Sequence, residues 1–213
     1  MKKDTPTLPK LETPNEVDHG MSDDDKKEAT RLSLRITNRN CTFENFKLRE
    51  GTEAAFKAFK ALADGTTDKP FLFCYGTTGC GKTHLIEATI RQWFYGRGII
   101  CRYLTVGEFL ALLKGAMIDK DRGDEGELFR RYCTAPYLVL DDLGLEYGTK
   151  WEYSKLEELI RCRDADGLVT IMATNKDFKQ LLSEGNMPRL LSRFSDSSVS
   201  QLILNGASDF RRR

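Results

Sequence analysis

The segment Gly76-Thr77-Thr78-Gly79-Cys80-Gly81-Lys82-Thr83 fits the pattern G-x-x-x-x-G-K-[ST] at every fixed position. Glycines at that spacing let a loop fold so tightly that successive backbone N–H groups point inward, where they can cradle phosphate oxygens. A helix starting inside the loop adds the positive end of its dipole. Lys82 would then meet the β- and γ-phosphates, and the Thr83 hydroxyl would face a magnesium ion. The chemistry implied is the binding of a nucleoside triphosphate with Mg²⁺. His84 follows directly and belongs to the same candidate set.

Three further places carry chemistry. The apolar run Tyr137-Leu138-Val139-Leu140 ends in Asp141-Asp142. A carboxylate there can hold Mg²⁺ opposite Thr83, which makes Asp141 the metal-side acid. Asp142 is placed to orient the attacking water, since phosphoryl transfer needs a positioned nucleophile and stabilised charge. Asn175 follows the run Leu168-Val169-Thr170-Ile171-Met172-Ala173-Thr174, and an amide at a strand end can hydrogen-bond the γ-phosphate or the water. Arg189 and Arg193 stand four apart, on one face of a helix whose Leu190, Leu191 and Phe194 pack inward. Each residue alone has an ordinary reading: acids and Asn cap helices and form turns, and arginines coat surfaces. Their order behind a complete phosphate loop is what gives them weight.

The elements that must position these groups alternate. Pro70–Tyr75 reads as a buried strand and Thr83–Ile90 as a helix with Leu85, Ile86 and Ile90 inward. Further strands are expected over Ile99–Leu104, Tyr137–Asp141, Leu168–Ala173 and Val199–Leu204. Helices are expected near Glu50–Leu62, Val106–Ala116, Trp151–Arg163 and Pro188–Phe194, with a loop over Asp119–Gly126. Strands alternating with helices call for an α/β fold in three layers around a five-stranded parallel sheet. Ligands of such sheets bind at the carboxyl ends of the strands, where the loop, the two acids and Asn175 fall.

The chain of 213 residues suits one folded domain over residues 39–213, behind a leader over residues 1–38. That leader holds Pro6, Pro9, Pro14 and the charged run Ser22–Glu28, and reads as disordered, with Ser22 placed to cap a short helix. Net charge is +1 although 31% of residues are charged, so DNA contact would have to come from a local patch such as Lys114, Lys120 and Arg122 with Phe109. The six cysteines show no C-x-x-C pair and read as reduced thiols. With no signal peptide and no apolar run near the roughly twenty residues that cross a bilayer, a cytoplasmic, membrane-free protein is expected.

The ordered set resembles the AAA+ ATPases, and among them the DnaC/IstB-type group that includes replicative helicase loaders. It rests on the loop through His84-Leu85, Leu140-Asp141-Asp142-Leu143-Gly144, Asn175, Arg189-Leu190-Leu191-Ser192-Arg193-Phe194 and the closing Gly206-Ala207-Ser208-Asp209-Phe210-Arg211. The resemblance implies that ATP is the nucleotide, that Arg193 is an arginine finger reaching a neighbouring copy's γ-phosphate, and that Asn175 is the γ-phosphate sensor. It also implies that Arg211 acts at the nucleotide and that Val106–Ala116 lies near single-stranded DNA. Asp142 stands where many relatives carry Glu, which implies slow, assembly-dependent ATP hydrolysis. Too few residues follow Leu204 for the family's helical lid. The implied function is loading or remodelling of a ring-shaped replicative helicase on single-stranded DNA, with Leu32, Leu34 and Ile36 of the leader as helicase contacts. An IstB-like ATPase helper of a transposase shares nearly every motif and stays open, as does a non-catalytic ATP-sensing adaptor. A GTPase or nucleotide kinase fits poorly, because Asn175-Lys176-Asp177 lacks the N-K-x-D spacing.

Overall fold

The computed structural model describes residue 30 and residues 40–119, 123–144, 148–184 and 188–209. The leader expected over residues 1–38 lies outside these apart from Thr30, as do Lys120, Arg122 and Arg211. In chain order the elements are α1 (Glu53–Asp64), β1 (Phe71–Tyr75), α2 (Lys82–Arg91), β2 (Arg102–Thr105), α3 (Val106–Ile118), α4 (Glu125–Cys133) and β3 (Tyr137–Leu143). They continue with α5 (Lys150–Ala165), β4 (Val169–Thr174), α6 (Phe178–Glu184), α7 (Pro188–Ser195) and β5 (Ser200–Leu204). The last turn after α2, Gln92–Gly96, widens into a π-helix.

All five strands pair in parallel in the order β2-β3-β4-β1-β5. Side chains of a strand alternate between faces, and here both faces are apolar. Phe71, Phe73, Leu138, Leu140 and Met172 pack on one side with Phe109, Leu113, Phe129, Leu159, Ile160 and Phe194. Leu72, Cys74, Val139, Ile171 and Ala173 pack on the other with Phe59, Leu85, Ile86, Ile90 and Trp93. The result is the expected helix–sheet–helix sandwich. Among the described residues no helix follows β5; Asn205–Asp209 run on as a strap without regular structure.

Local sequence sets the helix starts. Thr105 with Glu108 and Thr149 with Glu152 form capping boxes for α3 and α5. Helix α1 begins at Glu53 rather than Glu50 because Gly51 sits at φ 84° and Thr52 folds back, its hydroxyl donating to Arg49 O at 2.7 Å. The expected loop Asp119–Gly126 is shorter than its composition suggests. Asp124 caps α4 by accepting from Glu127 N at 2.8 Å, and Gly126 lies inside the first turn. Strand β2 begins three residues late: Ile99 and Cys101 are buried, but Ile99 N donates to Trp93 O instead of joining the ladder.

One buried cation ties the helical layer to the sheet. Arg163 at the end of α5 is fully buried and donates to Thr170 Oγ1 at 2.8 Å, Tyr132 O at 2.8 Å, Ala135 O at 2.6 Å and Val169 O at 2.7 Å. Burial pulls its pKa down to about 9, yet the fork suits four acceptors as no lysine could. Arg163→Leu orphans those oxygens, at a penalty of about 1–3 kcal/mol for each buried group left unpaired. We expect a loss of about 3 kcal/mol or more in urea unfolding; a loss below about 1 kcal/mol would show that the carbonyls find other partners.

Candidate functional site

The carboxyl end of β1 opens into the loop Gly76–Thr83. Asn205 O stands where a Cβ at position 76 would have to go, so only glycine fits against the strap there. Gly81 has φ 109° and lies under the Phe46 ring, which approaches within 2.9 Å of a Cβ built at that position. Helix α2 starts at once with Lys82. The Lys82 ammonium is drawn into the loop, donating to Gly76 O at 2.7 Å, Thr77 O at 3.0 Å and Asn175 Oδ1 at 2.8 Å.

Strand order explains how residues 93 apart in sequence meet. β4 lies between β1 and β3, so Asn175, just past the end of β4, stands between the phosphate loop and the two acids. Its amide oxygen accepts from Lys82, and its Nδ2 donates to Asp142 Oδ1 at 3.2 Å. One orientation of the amide satisfies both neighbours, a cation that only donates and a carboxylate that only accepts.

The acids themselves are separated by a backbone device. The pairing of β3 with β4 shifts register between Leu140 and Leu143, and Asp142 adopts the left-handed region at φ 56°. Asp is among the few non-glycine residues that tolerate this conformation, and irregularities of this kind re-aim side chains beside functional sites. Asp142 consequently meets Asn175 and lines the loop cavity. Asp141 stays buried, accepting from Thr83 Oγ1 at 3.3 Å, from Asp142 N at 2.9 Å and from the Tyr103 hydroxyl at 3.4 Å. Burial pushes the Asp141 carboxyl above its ordinary pKa against the pull of the Asp142 amide, and the Asp142 charge adds to the rise. Burial and the Asp141 charge likewise raise the Tyr103 phenol, so that it stays a donor.

A buried carboxylate facing a threonine hydroxyl is a hard-oxygen pair of the kind Mg²⁺ uses together with phosphate oxygens and water. Among the described residues no cluster of three or more His, Cys, Asp or Glu could hold a metal by protein ligands alone, and the Thr83–Asp141 pair fits an ion whose remaining ligands come from nucleotide and solvent.

A cavity of about 690 Å³ opens over the loop, lined by Thr78, Gly79, Gly81, Lys82, Thr83, His84, Asp142 and Asn175. Gly76, Thr77 and Cys80 are not part of this lining; Thr77 holds the loop from behind by donating to Ala207 O at 3.2 Å. The opposite wall is Asn40, Cys41, Asn45, Phe46, Lys47 and Arg49, residues that sequence reasoning read only as the onset of the globular pattern. Reciprocal bonds between Thr42 and Asn45, at 2.9 and 3.1 Å, fix this wall. His84 anchors it to α2: its Nε2 lies 2.9 Å from Thr42 O and its ring meets Phe46 edge-on at 5.1 Å. The signal was present in Thr42-Phe43-Glu44-Asn45-Phe46, a turn former between two aromatics.

Arg193 is not brought into this cavity. Helix α7 packs on β1 through Phe194, which stacks on Phe73 with ring centroids 4.3 Å apart, and Arg193 lines a second groove of about 750 Å³ with Glu157, Glu158, Arg161 and Arg189. There it forms an ion pair with Asp164 of the same chain. The expected DNA patch changes more. Phe109 is fully buried in the core and cannot stack on a base, and the Lys114 ammonium is held by Glu152 and lies 5.8 Å from the centre of the Trp151 ring.

Residues 37–201 match the model of the bacterial DnaA ATPase domain. The chain belongs to that family. It is 31% identical over 174 residues to the uncharacterized protein YdaV of Escherichia coli K12, covering 78% of this chain and 67% of that one. It is 26% identical to the replicative helicase loader DnaC of Buchnera aphidicola (Schizaphis graminum subspecies) over 75% of this chain and 67% of the loader. AMPPCP-bound DnaA from Aquifex aeolicus superposes with a TM-score of 0.63 at 25% identity, over 76% of this chain and 50% of that one. The DnaA-family assignment and the fold agree on an AAA+ ATPase domain. No helix among the described residues is long and apolar enough to cross a membrane.

The raised pKa of Asp141 has a sign that can be measured. A buried acid whose folded pKa exceeds its unfolded value destabilises the fold at neutral pH, and the effect fades as the pH falls through the folded pKa toward the ordinary value. In magnesium-free buffer, Asp141→Asn should therefore melt higher than the parent at pH 7.5, with the difference closing by about pH 4. A difference that is constant with pH would show that burial of the charge is not the cause.

Proposed function

We propose that this chain is an ATP-dependent replication protein that binds ATP with Mg²⁺, assembles on single-stranded DNA and loads or remodels a ring-shaped replicative helicase in the cytoplasm. The observation that carries the nucleotide chemistry is the continuous row Lys82–Asn175–Asp142 beside the Thr83–Asp141 pair. The helicase assignment is supported by the likeness to DnaC.

In this reading the loop N–H groups and Lys82 hold the β- and γ-phosphates, and the wall Asn40–Arg49 encloses the base. Thr83 and Asp141 would hold Mg²⁺, which would supply charge neutralisation for the transferred phosphoryl group. Asn175 aims the Asp142 carboxylate. Asp142 takes a proton from a water molecule while that water's oxygen forms the bond to the γ-phosphorus and the bond to ADP breaks, releasing ADP and phosphate. An aspartate reaches less far than a glutamate, so turnover is slow and ATP occupancy serves as much as a switch as a fuel. Arg193, outside its own chain's cavity, acts on the nucleotide of a neighbouring copy and leaves Asp164 to do so. Arg211 completes the site, Leu32, Leu34 and Ile36 dock the helicase, and the remaining DNA contact comes from cations after α3.

Lys82→Ala removes the ammonium and should weaken ATP binding about tenfold or more, the value of one charge-assisted hydrogen bond, measured by calorimetry. Asp142→Asn should keep the affinity and lose hydrolysis. Arg193→Ala should lose at least about tenfold in ATPase rate, since an arginine supplied in trans contributes 10³ to 10⁵ where it has been measured in GTPases. Mixing it with Lys82→Ala should restore part of the activity, because one mixed interface carries both intact groups. Absence of recovery with assembly intact would place Arg193 in its own chain's chemistry. A chain starting at Asn40 should keep ATPase activity and lose capture of the purified helicase; capture retained in full would move that contact onto the folded domain.

A further inference from the structure

We propose that Arg49 is a positioning residue that couples the phosphate loop to the strap Asn205–Asp209, so that nucleotide binding is transmitted to the end of the described chain. This rests on the loop being the nucleotide site. Arg49 lines the cavity and joins three segments distant in sequence: its Nη1 donates to Ser208 O at 2.9 Å and its Nη2 to Cys80 O at 3.4 Å. Its own backbone is pinned, since Thr52 N donates to Arg49 O at 2.9 Å and Arg49 N to the Thr52 hydroxyl at 2.9 Å, with Thr52 fully buried. The guanidinium therefore starts from a fixed base on the entry to α1.

The strap is held on both flanks of that fork. On the α1 side Gly206 N donates to Gly51 O at 3.0 Å. On the loop side Asn205 N donates to Tyr75 O at 2.8 Å, and Thr77 Oγ1 donates to Ala207 O at 3.2 Å. Beyond these, the Asp209 carboxylate fills the space a side chain at position 79 would need, so the strap presses on the middle of the loop. The strap thus follows the loop from its start at Tyr75 to Gly79, and Arg49 is the side chain that grips the loop at Cys80 and the strap at Ser208 together. A loop that closes on phosphates through its N–H groups shifts its carbonyls with them, and Cys80 O is the one that Arg49 holds. A rigid, forked donor passes that shift to Ser208, whereas a single-point donor holds one carbonyl at a time.

The experiment is hydrogen exchange of the full chain with ADP and with ATP, together with affinities for both. In the parent, either nucleotide should slow exchange in residues 76–83 and in the strap. In Arg49→Ala, affinity for ADP and ATP should fall by the same factor, because the loop that both nucleotides use loses one of its supports. The loop should still be protected by nucleotide, and the strap should not. Arg49→Lys keeps the charge and lacks the fork; it should recover affinity and still fail to protect the strap, which separates coupling from folding. Strap protection persisting in both variants would overturn the proposal. So would a loss confined to ATP with a fall in kcat, which would put Arg49 on the γ-phosphate. A parent chain that binds neither nucleotide would instead overturn the site reading itself, and Lys82→Ala would then differ from it in nothing.

Discussion

Because β4 is inserted between β1 and β3, three strand ends that are remote in sequence deliver a lysine, an amide and a carboxylate to one line. Parallel strands make this arrangement available: all five end on the same side, so every strand-to-helix turn opens onto one rim. The apolar content of β1, β3 and β4 on both faces is the cost of such a sheet, since helices must cover it twice. Phe71 and Phe73 against one layer, and Leu72 and Cys74 against the other, are the visible form of that requirement.

Around that row the structure spends stability on geometry. Asp142 occupies a left-handed backbone conformation beside a register shift, and Asp141 is a carboxylate kept largely out of water. Strained backbone and costly charge persist only where the surroundings over-determine them. Here the surroundings are rigid: the Asp142 amide and the Thr83 and Tyr103 hydroxyls all donate to Asp141, while the buried Thr174 hydroxyl donates to Leu143 O and fixes the end of β4. Arg163 does comparable work below the rim, satisfying carbonyls from the end of α4, the α4–β3 connection and β4 with one guanidinium.

The phosphate loop, the alternating strands and the two acids were legible because each has a local signature: glycine spacing, apolar runs of strand length, charge at a strand end. Helix α4 was not, since Gly126 in its first turn and the charges around it imitate a loop, and only tertiary packing of Phe129 and Tyr132 against Phe109 decides the matter. The inward turn of Phe109 was missed for a related reason. Helix α3 is apolar nearly all round, so sequence alone does not say which face is buried. The wall Asn40–Arg49 could not be read because its role depends on the fold returning it to α2 through His84. Sequence order named the loop side of the cavity and left out the side contributed by the chain before α1.

Two arginines divide the remaining logic between them. Arg49 grips the loop and the strap of its own chain, while Arg193 sits in a groove of its own, paired with Asp164. That ion pair is partly exposed, and exposed pairs contribute at most about 1 kcal/mol. A pair that weak leaves the guanidinium open to exchange for an anion with more oxygens to offer. The proposed role of Arg193 at a neighbouring copy asks only that this weak pair be broken, while Arg49 stays engaged within its own chain.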